Sequence, residues 1–108
     1  MTLSMVTVGA DTIRGSGGND TIDGGSGADS ISAGIGNDMA NGGSGSDTIL
    51  GQGGADTLFG DGGIDMLYGG SGDDMLFGGA DIDLLFGEGN DDTLFGDGGN
   101  DTLFGGLG

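Results

Sequence analysis

The chain has 108 residues, 31 of them glycine, and carries 18 acidic side chains against a single basic one, Arg14. Its formal charge of −17 repels nucleic acid and anionic membrane surfaces and opposes its own compaction. With no Cys and no His it has no disulfide framework and no thiolate or imidazole chemistry, and its length allows one domain at most.

Residues 1–8 read as an N-terminal lead-in strand, because Val6-Thr7-Val8 has no glycine where every later unit has one. This segment lacks the basic start and apolar stretch of a secretory signal. No apolar run approaches the roughly 20 residues of a membrane span, so no membrane insertion is expected. Residues 9–108 form one repeating domain in a nine-residue frame without a single insertion or deletion. Position six is Asp eleven times: Asp11, Asp20, Asp29, Asp38, Asp47, Asp56, Asp65, Asp74, Asp83, Asp92 and Asp101. Position eight is aliphatic in the same units: Ile13, Ile22, Ile31, Ala40, Ile49, Leu58, Leu67, Leu76, Leu85, Leu94 and Leu103. A period this strict is the signature of a stacked repeat.

Within a unit, the glycine-rich half reads as a turn and positions seven to nine read as a short strand. Alternation puts position eight on one face and positions seven and nine on the other. One such strand buries nothing alone, but stacked neighbours bury position eight as a continuous column. Ten complete units run from Gly15 to Phe104. Position four is Gly in eight of them and Asp81 or Asn90 in the others, the residue types that best tolerate a left-handed backbone. Positions two and three trade a glycine: where position two is Ser16, Gln52, Asp61, Glu88 or Asp97, position three is Gly, and otherwise position two is Gly. The rule predicts a turn that needs a permissive residue at one of the two places. The unit at 33–41 is the weakest, with Ala33 opening it and Ala40 in the column, and the stack should be softest there. Position nine turns aromatic in the C-terminal half. If successive units lie on opposite sides, Phe59, Phe77 and Phe95 form one outward ladder and Tyr68, Phe86 and Phe104 the other. Such ladders stabilise a β surface or offer a contact patch to a partner.

The units Gly42-Gly43-Ser44-Gly45-Ser46-Asp47-Thr48-Ile49-Leu50 and Gly69-Gly70-Ser71-Gly72-Asp73-Asp74-Met75-Leu76-Phe77 fit G-G-x-G-x-D-x-U-x without exception. That pattern resembles the calcium-binding nonapeptide of the RTX (repeats-in-toxin) family. The resemblance implies an all-β fold, a right-handed parallel β-roll (β-solenoid) with two units per 18-residue coil and about six coils. It further implies Ca²⁺ in the turns, between a unit and the unit 18 residues later. The ligands carried over are the side chains of the eleven position-six aspartates, Asp11 to Asp101. Turn carbonyls around Gly15, Gly24, Gly42, Gly51, Gly60, Gly69, Gly78, Gly87 and Gly96 supply the rest. The physics agrees: calcium takes six to eight oxygen donors from carboxylates and carbonyls, and a bare row of stacked aspartates repels itself. Eleven aspartates define nine pairs 18 residues apart, and up to about nine ions would supply about +18 against the formal charge. Asp23, Asp61, Asp97 and Glu88 read as solvated surface groups.

An enzyme is not expected. No His, Cys or Lys is available, the serines have no triad partner, and the Gly-rich stretches open no helix that could cradle phosphate. The EF-hand spacing fails. The irregular position-seven series argues against a flat Thr array for binding ice. The small column cannot offset chain entropy and repulsion without the ion, so folding and calcium binding are expected to be one event. Calcium is millimolar outside cells and far scarcer inside, which points to an extracellular, secreted or cell-surface module. RTX proteins resemble this in leaving the cell unfolded by a type I route with a C-terminal signal, which Gly105 to Gly108 does not show. Two settings fit. One is a calcium-folded part of a larger exported toxin, protease, lipase or adhesin. The other is a structural protein that stacks head to tail into a filament, since 108 residues are twelve nonapeptides and copies joined end to end stay in frame.

Overall fold

Alternation along short strands, repeated every nine residues, dictates two faces. A computed structural model describes residues 7–108 and builds them as twelve strands with no helix. They are β1 (Thr7–Val8), β2 (Thr12–Arg14), β3 (Thr21–Ser26), β4 (Ser30–Ile35), β5 (Met39–Ser44) and β6 (Thr48–Gly53). Then follow β7 (Thr57–Gly62), β8 (Met66–Ser71), β9 (Met75–Gly79), β10 (Leu84–Glu88), β11 (Thr93–Asp97) and β12 (Thr102–Phe104). Odd strands form one six-stranded sheet in the order β1-β3-β5-β7-β9-β11, and even strands form the other. Every pairing is parallel with an 18-residue offset, as in Ile49 with Leu67 and Leu85 with Leu103. The chain therefore winds as a β-solenoid, two nonapeptides to a coil. Residues 1–6 of the lead-in segment lie outside the described residues.

The body is 14 Å thin, so its interior is one side chain deep. Position eight fills it: Ile13, Ile22, Ile31, Ala40, Ile49, Leu58, Leu67, Leu76 and Leu85 are all buried, and Leu94 packs against them half-buried. Leu103 in the last coil is 42% exposed. Ala33 also belongs to this core, although it stands at position one, where the sequence suggested a turn.

Two expectations are corrected here. The central strands have five or six residues, not three, and run on into positions one to three of the next unit. Identical coils stacked in register let glycine backbone pair with glycine backbone, as Gly25 does with Gly43, so the ladder does not stop where β-forming side chains stop. The traded glycine also has a more definite meaning. Position two is left-handed in all ten units, whether it is Gly25 (φ 99°) or Gln52 (φ 81°), Asp61 (φ 72°) or Glu88 (φ 79°). The glycine at position three is never left-handed. Position four is left-handed throughout, and Asp81 (φ 82°) and Asn90 (φ 80°) take that conformation as their residue types allow.

The outward aromatics form the two expected ladders. Phe59, Phe77 and Phe95 stack with centroids 4.9 Å apart, and Tyr68, Phe86 and Phe104 at 4.8 and 5.1 Å. This is the strand spacing itself, so parallel strands in register force parallel rings. Phe77 is held on both sides and Phe104 on one. Phe77→Ala is expected to cost about 1–3 kcal/mol for its two stacks, and Phe104→Ala about half as much. Urea midpoints of the folded roll measure this, and equal shifts would show that stacking contributes nothing.

Candidate metal centre

Each turn delivers its position-six aspartate to the inside of the roll. Asp20, Asp29, Asp38, Asp47, Asp56, Asp65, Asp74 and Asp83 are buried, while Asp11, Asp92 and Asp101 are half-buried near the ends. At Asp20 both carboxylate oxygens are buried without a hydrogen-bond partner. From Asp29 to Asp92 the two oxygens of each carboxylate have different fates. Oδ1 accepts a hydrogen bond from the backbone N–H of the aspartate 18 residues earlier. Nine such bonds of 2.8 to 2.9 Å run from the Asp11 N–H on Asp29 to the Asp83 N–H on Asp101. The structure thus joins the same nine pairs that the sequence spacing defines. Oδ2 is buried without a hydrogen-bond partner in nine consecutive aspartates, Asp20 to Asp92. A carboxylate oxygen out of water and without a donor is costly.

Burial disfavours the charged carboxylate along the row from Asp38 to Asp92. Burial raises Asp65 to about 7; the N–H of Asp47 pulls it back, and the charges of Asp47, Asp83 and Asp61 push it further up. Asp56 and Asp74 rise to about 6, again through burial first and against the N–H bonds from Asp38 and Asp56. Asp38, Asp47, Asp83 and Asp92 are raised in the same direction by the same leading cause. The bare row asks for protons or for a cation.

The glycine at position one shapes the space around each free oxygen. A Cβ built on Gly24 would lie 2.6 Å from Asp29 Oδ2 and 2.6 Å from the Gly42 carbonyl oxygen one coil on. At Gly51 the same hollow is bounded by Asp56 Oδ2 and the Gly69 carbonyl, both at 2.6 Å. Gly60, Gly69, Gly78 and Gly87 repeat it with Asp65, Asp74, Asp83 and Asp92. A carboxylate oxygen and a carbonyl oxygen converge on a cradle that only glycine leaves open. Among the described residues no three acidic side chains gather in one cluster, so backbone carbonyls or water would complete any coordination shell. Hard oxygen donors of these two kinds suit calcium, which takes them at high coordination number and brings the charge the row lacks. The residues present fit that ion.

Other side chains fasten coil to coil without using the free oxygens, and the sequence pattern did not flag them. Asn19 and Asn37 accept the N–H groups of Asn37 and Ala55, and Asp73 accepts that of Asp91. Asp81 and Asn90 reach the other way, to the N–H groups of Gly63 and Gly72. Their spacing of 18 residues was the available signal. Asp61, Asp97 and Glu88 are exposed and Asp23 is half-buried, all away from the interior.

No curated protein and no solved structure matches the chain. The family model for the RTX calcium-binding nonapeptide repeat matches it in four copies, over residues 6–40, 33–67, 50–85 and 77–108. With those matches spanning nearly its whole length and its paired aspartates facing inward, the chain belongs to the RTX calcium-binding nonapeptide repeat family.

Proposed function

We propose that this chain is a calcium-conditional structural module, unfolded where calcium is scarce and folded in the millimolar calcium outside cells. The observation that carries the reading is the run of nine buried, unpartnered Oδ2 oxygens from Asp20 to Asp92. The eleven position-six aspartates and the position-one carbonyls are its ligands, and up to about nine ions bind between coils. The core is one residue deep and cannot outweigh chain entropy plus a buried row of like charges. The module stands alone or within a larger exported protein. The last coil also suits head-to-tail stacking on another copy. Leu94 and Leu103 are column residues left partly open there, and a further coil laid on β11 and β12, from another copy or from more of the same chain, would bury them.

The test is far-UV circular dichroism at neutral pH during a calcium titration from chelator, with magnesium as control. A cooperative coil-to-β transition with calcium alone is expected. Full β structure in chelator would overturn the reading, because packing alone would then hold the fold. Light scattering at saturating calcium tests the stacking: a monomer at high concentration rules it out.

A further inference from the structure

Position one is glycine in nine of the ten complete units, and in each a Cβ would come within 2.7 Å of Oδ2 of the unit's own aspartate. The exception is Ala33, whose side chain is fully buried in the core. By the 18-residue register its methyl occupies the hollow bounded elsewhere by Oδ2 and the next coil's carbonyl, which here means Asp38 and Gly51. The equivalent hollow one coil earlier confirms the frame: a Cβ on Gly15 would meet Asp20 Oδ2 at 2.7 Å and the Ala33 carbonyl oxygen. Asp38 nonetheless keeps the framework bond, since its Oδ1 accepts the N–H of Asp20 at 2.8 Å. Its Oδ2 is buried and unpartnered like the others. The carboxylate is delivered, but its cradle is already filled.

The geometry points to two unequal rows of ion sites. Successive turns cross between the sheets in opposite directions, so their aspartates line opposite edges of the roll. One edge carries Asp11, Asp29, Asp47, Asp65, Asp83 and Asp101, with a glycine cradle beside every one from Asp29 to Asp101. The other carries Asp20, Asp38, Asp56, Asp74 and Asp92, and its row is interrupted at Asp38 by the Ala33 methyl. That cradle takes no calcium ion. Asp20 is thereby cut off from the block Asp56 to Asp92, and the interrupted edge fills as two separate pieces while the other fills as one. This inference rests on the calcium reading above and adds to it which place stays empty and which residue keeps it so.

Ala33→Gly opens the cradle and Gly69→Ala closes an ordinary one, that of Asp74, on the same edge. Ions bound per chain at saturating calcium are counted by native mass spectrometry and by isothermal titration calorimetry. The expected result is one ion more than the wild type for Ala33→Gly and one fewer for Gly69→Ala. A glycine adds backbone freedom to the unfolded chain, so a gained ion cannot come from general stabilisation. An unchanged count in Ala33→Gly, with calcium still bound, overturns the inference and leaves the calcium reading standing. Absence of bound calcium in both the wild type and Ala33→Gly overturns both. Should Gly69→Ala fail to fold, the count in Ala33→Gly decides alone.

Discussion

Gly54→Ala is expected to break the roll near its middle, while Gly53→Ala one residue earlier leaves it intact. Gly54 stands at position four with φ +114°. A Cβ there would collide with the Gly36 carbonyl oxygen and lie 2.6 Å from its carbon. Asp81 and Asn90 carry a Cβ at this position only with φ drawn in to 82° and 80° and with a side-chain oxygen bonded to the Gly63 and Gly72 N–H groups, which alanine cannot offer. The Gly36 N–H donates to the Gly53 oxygen at 2.9 Å, and the Gly54 N–H donates to the Ser71 oxygen at 3.1 Å, so three coils pin this stretch. Left-handed strain and backbone overlap together come to about 3–5 kcal/mol, a large share of the stability of a small domain. At Gly53 a Cβ would meet only Ser71 Oγ at 3.7 Å, outside the left-handed region. That substitution should be neutral or stabilise by up to about 1 kcal/mol, by narrowing the unfolded ensemble. Hydrogen exchange in saturating calcium reads the difference. Gly54→Ala should lose protection across β4 and β6, and Gly53→Ala should match the wild type. Similar profiles for the two would remove the idea that position four is fixed by backbone contact between coils.

This pair also marks how far the sequence could be read. The frame, the 18-residue coil, the column from Ile13 to Leu103 and both aromatic ladders follow from periodicity. A strict repeat has few ways to bury one residue in nine. The paired aspartates follow for the same reason. The extent of the strands was hidden, because Gly-rich positions one to three have poor strand propensity alone and pair only through the identical coil beside them. That misreading concealed Ala33, which looked like a turn residue and is core. Position two misled differently: five polar residues sit there with positive φ, and composition credited the needed freedom to whichever neighbour was glycine. The inter-coil bonds of Asp81 and Asn90 stayed out of sight because their side chains were read only for what the backbone tolerates.

Acid is expected to do part of calcium's work. In chelator, β structure should grow as the pH falls from 8 to 5, and the calcium-induced gain in β signal should shrink over the same range. Asp65 titrates at about 7 and Asp56 and Asp74 at about 6 in the folded roll, against 3.8 for a free carboxyl. Between about pH 4 and 7 the folded chain therefore binds more protons than the unfolded one, and its stability falls as the pH rises through that window. Above pH 7 the three carboxylates are charged in both states, and the folded roll bears the full penalty of burying them. Calcium needs the same oxygens deprotonated, so protons compete for the ligands while relieving the repulsion that makes the ion necessary. The effect should be strongest in the middle of the roll, because Asp65 lies deepest and feels carboxylates from both neighbouring coils, Asp47 and Asp83. Asp65→Asn supplies a neutral side chain of the same shape at that point. In chelator it should raise β content at pH 7.5 toward the acid level. In calcium it should weaken binding, having replaced the free oxygen's charge. Circular dichroism of both proteins at pH 5, 6, 7 and 8, with and without calcium, gives every arm. A wild-type signal in chelator that is flat across that range, or that falls toward pH 5, would mean the buried row does not control the fold.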